Sequence, residues 1–351
     1  MLRHFLGSYI ITIVGLIFAY LWGEHVHSGT GLICVFIAFV LSVLEISLSF
    51  DNAVVNAMKL EKMSEKWQHR FLTWGILIAV FGMRFLFPVL VVTAFARLNP
   101  ITVVNIALND SLKYAHYLHQ THAPIVAFGG AFLMMLFLSY FFNSKKDVHW
   151  IKPLEQPLAK VGDIKGIEVL IVLICLGLVQ FEITSGQKLA VIFSAIIGIV
   201  TYLVIDGISA FLESKEQSAI LKSGSGLAGF LYLELIDASF SLDGVLGAFA
   251  LSTDIVIITI GLAIGAMFVR SLTLLMVEKK TLAKFLYLEH GAHWAIGVLA
   301  IIMFISTFKE VPEVVTGLSG LILIVAAFIS SILHNKRGNL IVWNACRNSI
   351  D

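Results

Sequence analysis

Charged residues are scarce in this chain of 351 residues, since Asp, Glu, Lys and Arg together make up 13% of it. Soluble domains contain about 25%. The net charge is +1 and the sequence has no basic block, so we expect no nucleic-acid partner. Hydrophobic residues make up 58%, and the mean hydropathy is +0.93. These values predict an integral membrane protein whose main partner is the lipid bilayer.

Cysteines are also few, and Cys34, Cys175 and Cys346 lie far apart. This spacing disfavours structural disulfides and a thiolate metal site. The sequence has no hydrolase or transferase motif, so we expect neither an enzyme nor an organic cofactor.

Long apolar runs are abundant and predict an all-α polytopic fold in a single transmembrane domain, residues 1–351. The ten runs lie at residues 5–22, 31–57, 71–96, 125–143, 167–182, 188–212, 227–250, 255–277, 294–308 and 313–334. Between them, alternate segments carry eighteen and four Lys and Arg residues. Because these residues collect on the cytoplasmic side, both termini are predicted to be cytoplasmic, in a bacterial plasma membrane.

Two acidic motifs interrupt these apolar runs. Residues 45–52 read EISLSFDN and residues 237–244 read DASFSLDG. Both follow the pattern acid, any residue, Ser, apolar, Ser, apolar, Asp. A carboxylate within the hydrocarbon layer is costly, so acids at matched positions indicate one polar site built from both halves of the chain.

A second correspondence accompanies the motifs. In each half a Gly precedes an Arg by nine residues, as Gly75 precedes Arg84 and Gly261 precedes Arg270. The two motif runs have opposite predicted orientations. The sequence therefore predicts two inverted five-helix repeats, residues 1–182 and 188–351, an arrangement common in transporters.

The motif helices permit two geometries. On a regular helix Glu45, Ser49 and Asn52 share one face, whereas Asp51 lies about 120° from Glu45. Alternatively, each helix breaks near Ser-apolar-Asp, which turns both acids of a motif toward one cavity. We favour the break.

The acids outnumber the arginines that are available to neutralise them. The motif runs contain Glu45, Asp51, Glu234, Asp237 and Asp243, and the predicted charge-balancing residues are Arg84 and Arg270. Buried ion pairs that only lock helices together are the alternative, but the charges do not cancel. Oxygen ligands suit hard divalent cations. The predicted metal ligands are Glu45, Ser49, Asp51, Asn52, Glu234, Asp237, Ser241 and Asp243.

Four further polar residues are candidate peripheral site residues. Glu289, His290 and His293 begin a predicted span on the cytoplasmic side, where they either line the inner mouth or cap a helix and pair locally. Asp206, at a helix end, is either a proton-relay residue or an interfacial one.

The residues Glu45, Leu48, Ser49, Asp51 and Asn52 resemble the first motif of the TerC membrane proteins. The second TerC motif is similar to Asp237, Phe240, Ser241 and Asp243, although Gly244 stands where that family usually has Ser. TerC proteins are named for tellurium resistance and belong to a group of exporters with inverted repeats. The resemblance implies export of a divalent metal, with manganese the leading candidate.

From the motifs and this resemblance we expect a proton-coupled exporter of a hard divalent cation. Two alternatives remain at this stage. One is a metal-binding scaffold that aids metallation of exported proteins, and the other is a tellurite-resistance factor without metal flux.

Overall fold

The fold is described from a computed structural model. It describes residues 2–26, 28–144, 146, 148–164, 166–183, 186–214, 226–227, 229–237, 248, 251–252, 254–279, 285–309 and 311–348. Helices form nearly all of this part of the chain, as predicted. In chain order they are α1 (Leu2–Val26), α2 (Gly31–Leu48), α3 (Phe50–Glu61), α4 (Glu65–Leu77), a π-helix (Ile78–Leu86), α5 (Phe87–Ala96), α6 (Pro100–Asn109), α7 (Ser111–Phe141), α8 (Lys152–Val161), α9 (Ile167–Val179), α10 (Lys188–Ser214), α11 (residues 229–237), α12 (Ile255–Glu278), α13 (Leu288–Ser306) and α14 (Glu313–Asn348).

Six of these helices are long and apolar enough to cross a membrane, and α2 with α3 forms a seventh if the bent pair is one span. They coincide with seven of the ten predicted spans. α7 is mostly buried, whereas α1 exposes most of its apolar surface. An apolar surface of this extent is unfavourable in water and suits contact with lipid.

Two of the remaining three predicted spans differ from simple membrane helices. Residues 71–96 are divided among the end of α4, the π-helix and α5. α9 has 13 residues and is about 20 Å long, shorter than the hydrocarbon layer of about 30 Å. Most of the run 227–250 lies outside the described residues. α7 also begins at Ser111, so much of the segment that was predicted to link two spans is helical.

The first motif helix is broken, as favoured from the sequence. α2 ends at Leu48, α3 begins at Phe50, and the two axes differ by 56°. The Ser47 hydroxyl donates to the Val43 carbonyl at 2.8 Å, a bond that competes with the helical ladder and favours bending. The corresponding part of the second motif, residues 238–247, lies outside the described residues.

The π-helix has a local cause in the sequence. Pro88, in the first turn of α5, has no backbone N–H to donate to the carbonyl of Arg84, four residues earlier. The helix widens over this turn, and Arg84 lies within the widened segment. π-helical segments are rare in proteins, and many of those that occur lie at functional sites.

Helix α12 joins the two halves of the chain because it packs against α1, α2, α3 and the π-helix. At Gly265 the approach to α2 is very close. A Cβ at this position would lie 2.6 Å from Glu45 Cγ and 2.9 Å from the Ser42 carbonyl oxygen. Glycine is therefore required for α12 to lie this close to the first motif.

This packing predicts that Gly265→Ala destabilises the protein by about 1–3 kcal/mol, because the added methyl group meets the α2 backbone. The measurement is thermal unfolding of the purified protein in detergent. Gly177→Ala is the matched control, since this exposed helical glycine has no neighbour within 4 Å of an added Cβ. Equal stability of the two variants would contradict the prediction.

Candidate cation site

The first buried ion pair joins Arg84 on the π-helix to Glu45 at the end of α2. Both side chains are 2% exposed, and Arg84 Nη2 contacts Glu45 Oε1. The Ser49 hydroxyl, at the break between α2 and α3, donates to the same oxygen at 2.8 Å. Glu45 is therefore held by a guanidinium and a hydroxyl, and its charge is neutralised within the N-terminal half of the chain.

The second buried pair joins Arg270 on α12 to Glu234 on α11, with Nη2 3.6 Å from Oε1. The Arg270 guanidinium also lies over the ring of Phe71, 4.0 Å from its centre, which adds a cation–π contact. Gly75 makes room for this pair, since a Cβ there would lie 2.9 Å from Glu234 Oε1 and clash with Arg270 Nη2. A glycine of the N-terminal half thus accommodates an ion pair of the C-terminal half.

A direct hydrogen bond links the two motif segments. Asn52 Nδ2, on α3, donates to Asp237 Oδ1 at the end of α11, and the two atoms are 2.6 Å apart. Among the residues that the structure describes, Asp237 has no ion-pair partner within 4.0 Å, and its buried Oδ2 accepts no hydrogen bond. Within the described part of the chain, Asp237 is therefore a motif carboxylate that neither arginine pairs with.

A small cavity of about 20 Å³ lies beside Asp237. This volume holds about one water molecule or one small ion. Its polar lining includes Asn52, Asn56, Arg84, Asp237, Arg270 and Thr273. Asn56 Oδ1 is buried and, within the described part of the chain, accepts no hydrogen bond. Carboxylate, amide and hydroxyl groups thus line one space beside the two paired guanidinium groups, and oxygens of these kinds suit hard cations.

The structure brings together most of the predicted site. Glu45, Ser49, Asn52, Glu234, Asp237, Arg84 and Arg270 lie around this centre. Asp51 lies in α3, but its side chain is not among those described, and Ser241 and Asp243 lie outside the described residues. In the described ranges, no three His, Cys, Asp or Glu side chains are grouped closely enough to hold a metal ion.

Two further lining residues, Asn56 and Thr273, were not among the predicted ligands. Asn56 follows Asn52 by four residues on α3, and Thr273 follows Arg270 by three on α12. Both spacings place side chains on one helix face. Extending the polar face by one turn from each predicted residue would have found them.

A larger cavity of about 290 Å³ opens near the N-terminus of α13, and we call it the vestibule. It brings together three of the four peripheral candidates, Asp206, Glu289 and His293. Lys62 Nζ lies 3.2 Å from Glu289 Oε1, so a lysine of the N-terminal half contacts an acid of the C-terminal half. Nearby, Lys146 Nζ lies against the Tyr140 ring. Burial lowers the pKa of Lys146 to about 7, although Glu289 and Glu155 oppose this shift.

The fourth candidate, His290, is turned away to a buried acid, Glu155, that the sequence analysis missed. Glu155 is 1% exposed, and its carboxylate lies 2.9 Å from His290 Nδ1 and 3.0 Å from Trp294 Nε1. The backbone N–H groups of Trp150 and Ile151 also donate to it. Glu155 thus fastens the start of α8 to α13. Its signal in the sequence is an acid two residues after Pro153, typical of a first helical turn.

These hydrogen bonds determine the acidity of Glu155. Burial alone would raise its pKa, but donation from His290, Trp294 and Ile151 outweighs burial and lowers the pKa from 4.5 to about 2. Glu155 is therefore charged throughout the neutral range.

The fold and the site define the class of the protein. It is a helical protein with several helices suited to crossing a membrane, with one buried Arg–Glu pair in each half of its chain and a hydrogen bond between Asn52 and Asp237 that joins the two halves. The model of a family described as a protein of unknown function (DUF475) matches residues 50–338, and the chain belongs to this family. No curated protein and no solved structure matches the chain.

The buried pair predicts an unequal response to single and double substitution. Arg84→Gln leaves the Glu45 carboxylate buried without its counter-charge and should cost about 3–5 kcal/mol of stability. Arg84→Gln combined with Glu45→Gln should recover much of this loss, because no charge is then unpaired. Thermal unfolding in detergent measures both, with the exposed Arg97→Gln as control. A double variant no more stable than Arg84→Gln would refute this account.

The lowered pKa of Glu155 predicts a pH-dependent contribution to stability. Because the folded pKa lies below the ordinary value, the contribution is complete above about pH 4.5 and is lost as the pH falls toward about 2. Glu155→Gln should therefore lower the unfolding temperature at pH 7, and its difference from the wild type should shrink below pH 4.5. A difference that is constant with pH would show that the charge is not responsible.

Proposed function

We propose that this protein is a membrane transporter that exports a hard divalent cation, with manganese as the leading candidate. The observation that carries the proposal is the state of Asp237. Its carboxylate is held by Asn52, is not committed to an arginine among the described residues, and lies beside a cavity of atomic size.

The two ion pairs support a cation site rather than a purely structural role for the acids. Arg84 is neutralised by Glu45 and Arg270 by Glu234. Each pair is electrically balanced, so Asp237 adds a net negative charge to the centre. In our proposal Asp51 and Asp243 add two more, and Ser49 and Ser241 contribute neutral oxygens. A divalent cation balances most of this charge.

The proposed architecture is ten spans in two inverted repeats, with both termini in the cytoplasm of a bacterial cell. One Arg–Glu pair in each half of the chain and the bend between α2 and α3 favour it. Discontinuous helices at the interface of two repeats are typical of transporters, which alternate access by moving one repeat against the other. The resemblance of both motifs to those of TerC proteins also favours an inverted-repeat transporter.

We propose that transport is coupled to protons. A carboxylate that releases a cation inside a membrane is left with an uncompensated charge, and binding a proton removes it. The metal is thus the substrate, and protons occupy the same oxygens during the return of the empty carrier.

Asp237→Asn tests the proposal, because it removes the uncommitted charge and keeps an oxygen that can accept the Asn52 hydrogen bond. We expect Mn²⁺ flux into sealed proteoliposomes to fall by at least about tenfold. The exposed Asp163→Asn should transport like the wild type.

The outcomes of this flux experiment separate the alternatives. Flux that Asp237→Asn leaves unchanged would refute the proposed site. Mn²⁺ binding without flux in the wild-type protein would favour the metallation scaffold. A deletion strain that is sensitive to tellurite but not to Mn²⁺ would favour the tellurite-resistance factor.

A further inference from the structure

The vestibule contains an imidazole, a group that the described lining of the small cavity does not include. His293 lines the vestibule, and its Nδ1 lies 2.8 Å from the Glu289 backbone oxygen. An Nδ1 in this position donates its hydrogen, so a neutral ring carries its lone pair on Nε2. Histidines that bind metals are usually oriented in this way by a carbonyl or carboxylate.

Aromatic packing fixes the plane of this imidazole. The Tyr140 ring stacks on His293 with the ring centres 3.4 Å apart and the planes inclined by 7°. Both residues line the vestibule, and His293 is 8% exposed. The ring is thus held on two sides, by the stack and by the hydrogen bond to Glu289. A ligand nitrogen held in one orientation loses little freedom when it binds.

The second potential ligand is the Glu289 carboxylate, which contacts the ammonium group of Lys62. Glu289 precedes His293 by four residues on α13, so the two side chains share one helix face. Lys62 contacts Glu289, but the two side chains are 70% and 40% exposed. An exposed pair of this kind is weak and exchanges readily. A metal ion that enters the vestibule can therefore replace the lysine.

We infer that the vestibule is a metal-capture site in which Glu289 and His293 bind a partly hydrated divalent transition-metal ion and displace Lys62. With two protein ligands, water completes the coordination sphere. Imidazole suits transition metals, whereas Mg²⁺ and Ca²⁺ prefer oxygen ligands. This site therefore deepens the proposed function, on which its transport role rests, because it selects Mn²⁺ over Mg²⁺ before the ion reaches the oxygen ligands near Asp237.

Equilibrium binding of Mn²⁺ to the full chain in detergent tests the inference. Electron paramagnetic resonance of free Mn²⁺ measures the binding. The starting variant is Asp237→Asn, which disables the central site. In this background we expect His293→Gln and Glu289→Gln each to weaken Mn²⁺ binding by at least about tenfold. Lys62→Gln should strengthen binding, because Glu289 loses its competing cation, and the exposed Lys66→Gln is the matched control.

Competition with Mg²⁺ gives a second readout. Mg²⁺ should displace Mn²⁺ from the vestibule far less readily in the Asp237→Asn protein than in Asp237→Asn with His293→Gln. If His293 had a merely structural role, its substitution would not change the preference of the vestibule for Mn²⁺ over Mg²⁺. The inference is wrong if Asp237→Asn alone abolishes Mn²⁺ binding, or if neither Glu289→Gln nor His293→Gln weakens it.

The failure of this inference is distinguishable from the failure of the proposed function. If the Glu289, His293 and Lys62 variants change Mn²⁺ binding as expected but the protein carries no Mn²⁺ across a membrane, the capture site is supported and transport is refuted. Flux that depends on Asp237 but not on Glu289 or His293, in a protein without the binding pattern, would refute the capture site alone.

Discussion

Neutralisation of buried charge is the constraint on which the centre of this protein depends. Arg84 and Arg270 are 2% and 6% exposed, and isolated ions at such positions cost several kcal/mol each. Each arginine must therefore find an acid, and the helices that carry them must approach closely. Gly75 and Gly265 let a helix of the opposite half of the chain lie against each pair, since a side chain at either position would collide with the acid of that pair. The charges thus explain why glycines lie where the two halves of the chain meet.

The two pairs are related but not equivalent, and the difference between them leaves Asp237 uncommitted. Arg84 contacts Glu45, the first acid of its motif, whereas Arg270 contacts Glu234, which lies three residues before the corresponding acid. Asp237, the counterpart of Glu45 in the motif alignment, accepts a hydrogen bond from Asn52 instead. An exact copy of the first pair would have left no motif acid uncommitted among the described residues. This difference between the two motifs therefore favours the proposed binding role of Asp237.

The sequence predicted much of the helical framework because long apolar runs and charge spacing are local signals. The runs predict the six membrane-length helices and the α2–α3 span, and the favoured break near Ser-apolar-Asp agrees with the bend between α2 and α3. The π-helix was not predicted from Pro88, and the pairing of Arg84 with Glu45 depends on how the widened turn packs against distant helices such as α12. Glu155 was missed for a similar reason, since its partners His290 and Trp294 are more than a hundred residues away.

In the site, too, the residues could be predicted from local sequence motifs, whereas their contacts across helices could not. Motif matching identified the acids and the arginines, but it could not assign which acid pairs with which arginine. That choice depends on the side-chain distances across helices, and it decides whether Asp237 is a structural or a binding group. The sequence therefore predicted which residue types form the centre, whereas the structure was needed to distinguish the paired Glu45 and Glu234 from the unpaired Asp237 among the described acids.

Helix α3 connects the two cavities, which gives the break before it a physical consequence. Asn52 and Asn56 of α3 line the small cavity, whereas Lys59 in its last turn and Lys62 directly after its end line the vestibule. A straight continuation of α2 would direct α3 elsewhere, so the 56° bend positions this polar face. Lys62 contacts α13, and Asn52 contacts α11. Any movement of α3 relative to these helices must therefore alter the contacts in both cavities together, which is the kind of coupling that the proposed alternating access requires.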